Sequence, residues 1–193
     1  VTLFFTKEGY FKKITPQSLR MSGEQKLKEE DSIVQTVEAT NNTELLFFTD
    51  RCQVYKTRAS EFADTKASVL GDSVAAKLGF DEGESAVAMI VTTDYKGCLL
   101  FFFENGKLAK VPLDSYATKT NRKRLANAYS EKSPLCRVYH IQEDQEFLLT
   151  SSSGRMLLVH TGAVAEKATR NTQGVAVMTQ RKGHRLLNVE PFK

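Results

Sequence analysis

Residues 99–110 read LLFFFENGKLAK: an apolar run, a short polar turn and then a strand that carries lysines. The same pattern occurs three more times, at residues 3–13, 45–56 and 147–157. Its turn positions are Gly9, Cys52, Gly106 and Gly154. They lie 43, 54 and 48 residues apart, the spacing at which one small antiparallel sheet follows another. Because one such unit cannot bury its apolar face alone, we expect the copies to pack on one another.

A second β-rich stretch, introduced by a polar or glycine turn, follows each hairpin. These stretches are residues 31–37, 83–90, 133–140 and 182–189. Residues 66–74 and 170–177 add short strands around a glycine. The sequence therefore predicts an all-β fold of about four repeated four-stranded units, arranged radially like blades. The approximate repeats are 1–43, 44–97, 98–145 and 146–193. Only residues 115–128 favour a helix, and Asn121 and Asn127 weaken that interpretation.

Composition indicates one compact domain. The chain has 193 residues, 41% hydrophobic and only 4 prolines, enough to bury a core. It contains neither a membrane-spanning apolar run nor the residue order of a secretion signal, so we expect an intracellular, cytoplasmic protein. The three cysteines are widely separated, and the three histidines lack CxxC or HxxxH partners. We therefore expect reduced thiols and no metal site.

Basic residues are unevenly distributed along a chain of net charge +4. Residues 117–137 hold six bases against Glu131, and bases recur in the strand after each hairpin turn. A single cluster is more often a solvated face, but recurrence at equivalent places favours a polyanion footprint. The candidate residues for binding a polyanion, expected to be exposed, are Lys12, Lys13, Lys56, Arg58, Lys107, Lys110, Arg122, Lys123, Arg124, Arg155 and Arg170. The phenylalanines lie in unbroken apolar runs, which favours core packing over stacking on bases.

Four motifs carry a resemblance to a known family. They are GYFKK at residues 9–13, KEED at 28–31, LLFFTDR with VYK at 45–56, and RNTQGV at 170–175. In their order and spacing they resemble the C-terminal repeats of bacterial type IIA topoisomerase A subunits, those of DNA gyrase and topoisomerase IV. The resemblance covers nearly the whole chain. It implies a β-pinwheel, a propeller-like disc whose blades exchange strands, and it implies that DNA bends around a positive rim.

One departure from the family bears on the type of enzyme. Gyrase A subunits carry a glutamine-arginine-glycine box before the acidic run, whereas residues 18–27 here read SLRMSGEQKL. In the family the box goes with full chiral wrapping, so its loss favours the topoisomerase IV branch or a divergent gyrase. Four units, where gyrase usually has six, point the same way. The chain also begins inside a strand at Val1, which suggests a fragment.

The resemblance also implies which partners this domain has, and it implies that the catalytic residues lie elsewhere. Its partners near the nucleoid would be double-stranded DNA, the ATPase subunit and the remaining domains of the topoisomerase polypeptide, with no membrane involved. The cleavage tyrosine, ATP and Mg²⁺ would belong to other parts of the enzyme, so no catalytic residue and no cofactor are expected here. The alternative is a propeller-like platform for protein–protein interaction, which the fold class alone also allows.

Overall fold

The computed structural model describes residues 1–120 and 122–193, which form two compact units. The first unit comprises Val1–Thr93 together with Arg122–Leu125, and the second comprises the rest of the described chain from Asp94 onward. Each unit contains two small sheets. Within the described residues, no helix is long and apolar enough to cross a membrane.

The elements are short and follow the repeat. In chain order the strands are β1 (Thr2–Thr6), β2 (Tyr10–Ile14), β3 (Ile33–Glu38), β4 (Glu44–Thr49), β5 (Val54–Arg58), β6 (Asp64–Thr65), β7 (Asp72–Ser73), β8 (Ala86–Thr92), β9 (Cys98–Phe103), β10 (Lys107–Pro112), β11 (Arg124–Leu125), β12 (Leu135–Ile141), β13 (Glu146–Ser151), β14 (Met156–His160), β15 (Val175–Ala176) and β16 (Leu186–Phe192). The helices are α1 (Pro16–Met21) and α2 (Val74–Leu78). Three 3₁₀ turns follow hairpins, at Ala59–Glu61, Leu113–Tyr116 and Thr161–Ala163.

The four predicted hairpins are confirmed as β1–β2, β4–β5, β9–β10 and β13–β14. All four turn positions adopt a positive φ, including Cys52 at 57°. The second β-rich stretch of each repeat pairs with the first strand of its hairpin, as β3, β8, β12 and β16. The all-β prediction of four repeated sheets is therefore confirmed.

Three sheets receive their outermost strand from the repeat that follows. β6 and β7 pair with β2, β11 pairs with β5, and β15 pairs with β10. The first sheet thus has five strands, and the second and third have four each. The fourth sheet has the order β14-β13-β16, and in the described chain no further strand pairs with β14. Strand exchange, which the family resemblance implied, is confirmed.

The continuous apolar runs form the cores. In the first unit the side chains between the sheets include Leu3, Phe5, Phe11, Leu45, Phe47, Phe62, Val74 and Met89. In the second unit they include Leu100, Phe102, Leu108, Phe147, Leu149, Met178, Leu186 and Val189. Alternate residues of the same runs are buried as well, because Phe4 packs with Ile14 and Ala67, and Phe101 stacks on Tyr129 with ring centroids 5.5 Å apart. The phenylalanines are core residues, as predicted.

The helix expected over residues 115–128 is wrong. Leu113–Tyr116 is a 3₁₀ turn, Arg124–Leu125 is strand β11, and Asn121 lies outside the described residues. The two helices that do occur are only one to two turns long, too short to produce a periodic pattern. Local capping explains them: the Thr15 hydroxyl accepts from the N–H of Ser18 ahead of Pro16, at the start of α1.

Candidate nucleic-acid interface

Three of the lysines predicted to be exposed are buried. Lys12, Lys13 and Lys110 retain 1%, 5% and 8% of their accessible surface. The expectation that alternation would turn these side chains to solvent is wrong, because other segments of the chain pack over these positions of β2 and β10 and accept hydrogen bonds from the ammonium groups. Burial removes them from any surface path for phosphates.

The Lys12 ammonium binds backbone carbonyls. Its Nζ donates to the carbonyl oxygens of Lys26 (3.1 Å), Ala67 (3.1 Å) and Val69 (2.9 Å). Burial lowers the pKa of Lys12 from its ordinary value. Two of its three hydrogen bonds therefore hold the loop between β6 and β7 against β2, and the third holds the segment at Lys26.

Lys13 and Lys110 each join a hairpin to the repeat that follows it. Lys13 Nζ donates to the carbonyl of Ala59 (3.0 Å) and to Asn41 Oδ1 (2.9 Å). Lys110 Nζ donates in the same way to the carbonyl of Thr161 (3.1 Å) and to Asp144 Oδ1 (2.8 Å). Both lysines stand four residues after their turn glycine. Lys13 and Lys110, which occupy equivalent positions in their hairpins, therefore share a structural role.

The basic tract Arg122–Arg124 is exposed and held in place by backbone pairing. The N–H of Lys56 donates to the carbonyl of Lys123 at 2.7 Å, and Arg124 lies opposite Tyr55 in the β5–β11 register. The Arg124 guanidinium stacks on the Tyr55 ring, 5.7 Å from its centroid, and donates to the Tyr55 hydroxyl at 3.2 Å. It also pairs with Asp81 at 3.3 Å. Three consecutive cations thus emerge from one sheet edge, and one of them is partly neutralised.

A buried carboxylate fixes the tyrosine beneath this guanidinium. Glu84 accepts hydrogen bonds from Thr49 Oγ1 (2.6 Å), Tyr55 Oη (2.7 Å), Gln53 Nε2 (2.8 Å) and the N–H of Asp81 (3.0 Å). Burial by itself would raise the pKa of Glu84, but the hydrogen bonds outweigh it and hold the pKa below its ordinary 4.5. Burial and the bond to Glu84 raise the pKa of Tyr55 to about 12, so the phenol keeps its proton.

A small cleft of about 230 Å³ opens beside the basic tract. Its lining residues are Tyr55, Lys56, Thr57, Glu61, Lys77, Leu78 and Lys123. Sequence reasoning proposed Lys56 and Lys123 but missed Lys77, which lies on α2, just beyond the stretch 66–74 that is predicted to form strand. The Ser73 cap and the sequence Val-Ala-Ala-Lys-Leu at 74–78 were the available signals for that helix.

The remaining predicted basic residues differ in their exposure and in the contacts that they make. Arg58 and Arg155 are exposed and Lys107 is half-buried. Arg170 is half-buried as well, since its guanidinium donates to the carbonyl of Ser115 at 2.9 Å and lies 6.0 Å from the centroid of the Tyr116 ring. Arg155 makes a long contact, 3.4 Å, with the carbonyl of Thr179.

The cysteines and the possible metal ligands of the described residues do not form a further candidate site. The three cysteines are free thiols, and burial followed by a hydrogen bond to Glu166 raises the pKa of Cys98 to about 12. Across the residues that the structure describes, no group of three or more histidine, cysteine, aspartate or glutamate side chains is placed to hold a metal ion.

Comparison with solved structures places the chain among propeller-like β folds. A crystal structure of the C-terminal domain of DNA topoisomerase IV matches all of this chain and 61% of its own chain, with a TM-score of 0.86 and 23% identity. The E. coli ParC C-terminal domain matches 99% of this chain and 78% of its own, with a TM-score of 0.75 and 15% identity. These likenesses confirm the predicted fold.

Sequence comparison gives the family. The model of the DNA gyrase C-terminal domain, beta-propeller, matches residues 43–93 and 145–193, just over half of the chain. The chain belongs to this family. It is 25% identical over 176 residues to the A subunit of DNA topoisomerase 4 from Staphylococcus aureus, covering 88% of this chain. It spans only 22% of that relative's length. The resemblance seen in the sequence is confirmed.

Proposed function

We propose that this chain binds and bends double-stranded DNA without sequence preference, and presents a DNA segment to the catalytic core of a type II topoisomerase. The observation that carries the proposal is the exposed tract Arg122–Arg124, which leads into the outer strand β11 of the second sheet in a member of the gyrase C-terminal domain family. Backbone hydrogen bonds hold Lys123 and Arg124 to β5, so that consecutive positive charges lie together at the surface, as a polyanion requires.

Electrostatic attraction supplies the mechanism. Each lysine or arginine placed on a phosphate releases condensed counterions, and it does so independently of base sequence. The residues assigned to this role are Lys56, Arg58, Lys107, Arg122, Lys123, Arg124, Arg155 and Arg170. Bending 20 to 30 base pairs by 40 to 90° costs about 1–6 kcal/mol, so several contacts must act together.

The proposal assigns the chemistry to other parts of the enzyme. The cleavage tyrosine, ATP and Mg²⁺ are assigned to the ATPase subunit and to the remaining domains of the topoisomerase polypeptide, which are the expected partners in the bacterial cytoplasm and nucleoid. We assign the chain to a topoisomerase IV-like enzyme or a divergent gyrase. The absence of a gyrase box at residues 18–27 and the identity to a topoisomerase 4 polypeptide support this assignment.

The test measures affinity and bending together. Duplexes of increasing length, labelled with a fluorophore at each end, are titrated with the chain across a salt series. We expect tight, steeply salt-dependent binding and energy transfer between the duplex ends that rises with bound protein. Weak binding that is insensitive to salt would overturn the proposal, and salt-dependent binding without energy transfer would overturn bending.

A second candidate is a protein–protein platform, which one observation favours. The side chains of Met156 and Leu158 on β14 are 57% and 44% exposed. They lie on the strand that lacks an outer neighbour in the described chain, and an apolar sheet edge suits an added polypeptide strand. Binding of the topoisomerase's other domains that is lost on Leu158→Lys, with DNA binding intact, would support this function.

A further inference from the structure

We propose that the cleft beside β11 is a phosphate-binding site for the DNA backbone, and that Lys77 and Lys123 are its ligands. The inference rests on the proposed DNA-binding function and deepens it, because it places one backbone phosphate at a named position in the first unit. Neither residue pattern nor family resemblance pointed to Lys77.

The charge of the cleft is the first argument. Three of its lining residues are lysines and one, Glu61, is acidic. Among the ion pairs of the described residues, none involves Lys77 or Lys123. Like charges gathered around one concavity repel each other until an anion enters, so the cleft favours a negatively charged occupant.

The second argument is that both lysines are restrained. The Lys77 ammonium lies 5.6 Å from the centroid of the Phe62 ring, a cation–π distance. Its helix ends at once, since Gly79 closes α2 with a φ of 70°. Lys123 is fixed through its own carbonyl, which accepts the Lys56 N–H at 2.7 Å. Less conformational freedom is therefore lost when a ligand binds.

The size and lining of the cleft decide the ligand class. A volume of about 230 Å³ lies below the roughly 300–1,000 Å³ of sites for drug-sized molecules and cofactors. The aromatic residue of the lining, Tyr55, is buried between the Arg124 guanidinium and the Phe80 ring, whose centroid lies 4.4 Å away, so its ring has no open face for a base to stack on. Lysines act as point charges toward phosphate, without the planar recognition that arginine gives. A single phosphate group fits these properties.

The position of the cleft favours a phosphate of the DNA backbone over free phosphate as its ligand. Lys123 belongs both to the cleft lining and to the exposed tract Arg122–Arg124. A phosphate held in the cleft would therefore be continuous with phosphates bound along the tract, as one strand of a duplex provides.

The experiment compares Lys77→Gln and Lys123→Gln with Lys66→Gln, an exposed lysine of the same unit that does not line the cleft. Duplex affinity is measured at low and at near-physiological salt, and the amide resonances of Thr57 and Leu78 are followed by NMR during titration with inorganic phosphate and with duplex. We expect each cleft variant to lose about three-fold in affinity at the low-salt end, to reduce the salt slope by about one, and to lose the amide shifts. Lys66→Gln should match the wild type in all three.

The outcomes separate the two proposals. If the wild type binds duplex and all three variants behave alike, the cleft is not a DNA site and the proposed function stands. If the wild type does not bind duplex, the proposed function fails. Amide shifts with inorganic phosphate that persist unchanged in the cleft variants would also overturn the assignment of Lys77 and Lys123 as ligands.

Discussion

The third and fourth sheets contain the same hairpin pattern, but equivalent residues of the two hairpins differ in burial. In the third sheet, β10 lies between β9 and β15, and Lys110 is buried. In the fourth sheet the equivalent residue, also four positions after the turn glycine, is Leu158, which is 44% exposed on β14. The difference lies in what packs over the two positions, since Asp144 and the carbonyl of Thr161 contact the Lys110 ammonium while Leu158 stays exposed. Exposure in these strands therefore depends on what the next repeat supplies.

The turn glycines should show the largest difference between the two sheets. A Cβ on Gly106 would lie 1.7 Å from the carbonyl oxygen of Met178, whereas a Cβ on Gly154 would meet nothing within 4 Å. Both have a φ of 85°. We expect Gly106→Ala to lower the free energy of unfolding by about 4 kcal/mol or more, and Gly154→Ala by about 1–2 kcal/mol. Urea denaturation measures both, and equal losses would contradict the comparison.

Substitution of the equivalent residues Lys110 and Leu158 should give the next largest difference in unfolding free energy. Lys110→Met removes one of the two donors to the carbonyl of Thr161, which keeps the N–H of Val164, and leaves Asp144 without its ion pair. We therefore expect a loss of about 2–3 kcal/mol in unfolding free energy. Leu158→Lys adds a charge at an exposed position and should change stability by less than about 0.5 kcal/mol. The same urea series checks the pair. A Lys110→Met variant as stable as the wild type would show that the buried contacts are not structural.

DNA binding should distinguish exposed bases from buried ones. Replacing Arg122, Lys123 and Arg124 with glutamate removes three proposed phosphate contacts. We expect duplex affinity to fall about 30-fold and the salt slope to drop by about three. Lys110→Met is the matched control, because a buried lysine contributes no phosphate contact and should leave the slope unchanged. Fluorescence titration across a salt series measures both, and a slope that falls in the control would return Lys110 to the DNA path.

Acid should have the smallest effect on stability, and it acts on the Lys110–Asp144 ion pair beside the third sheet. The hydrogen bond from Lys110, followed by that from Thr161, holds the pKa of Asp144 below its ordinary 3.8. A pKa lowered by folding gives stability that is fully present above the unfolded value and lost as pH falls through the folded value. Unfolding free energy should therefore decline more steeply below about pH 4 in the wild type than in Asp144→Asn. Parallel pH profiles would indicate no coupling.

Much of the fold could be predicted because it is encoded locally. The apolar runs and their turns placed all four hairpins, and the positive φ at Gly9 and Cys52 is where a tight turn needs it. The helices were missed because α1 and α2 have six and five residues, less than two turns. The basic tract was found because it is contiguous, whereas Lys77 stands alone in sequence and joins the cleft only through folding.

By itself the sequence determined the repeat, the strand order within each hairpin and the family, since all three depend on residue type and spacing. The tertiary structure alone decided which lysines remain exposed. A strand that alternates in sequence has one solvent face only if nothing covers it, and segments distant in sequence pack over these lysines of β2 and β10. Lys12, Lys13 and Lys110 therefore bind carbonyls and side chains of neighbouring segments, while Arg122–Arg124, itself part of a donated segment, stays exposed. Long-range pairing of this kind leaves no local signature.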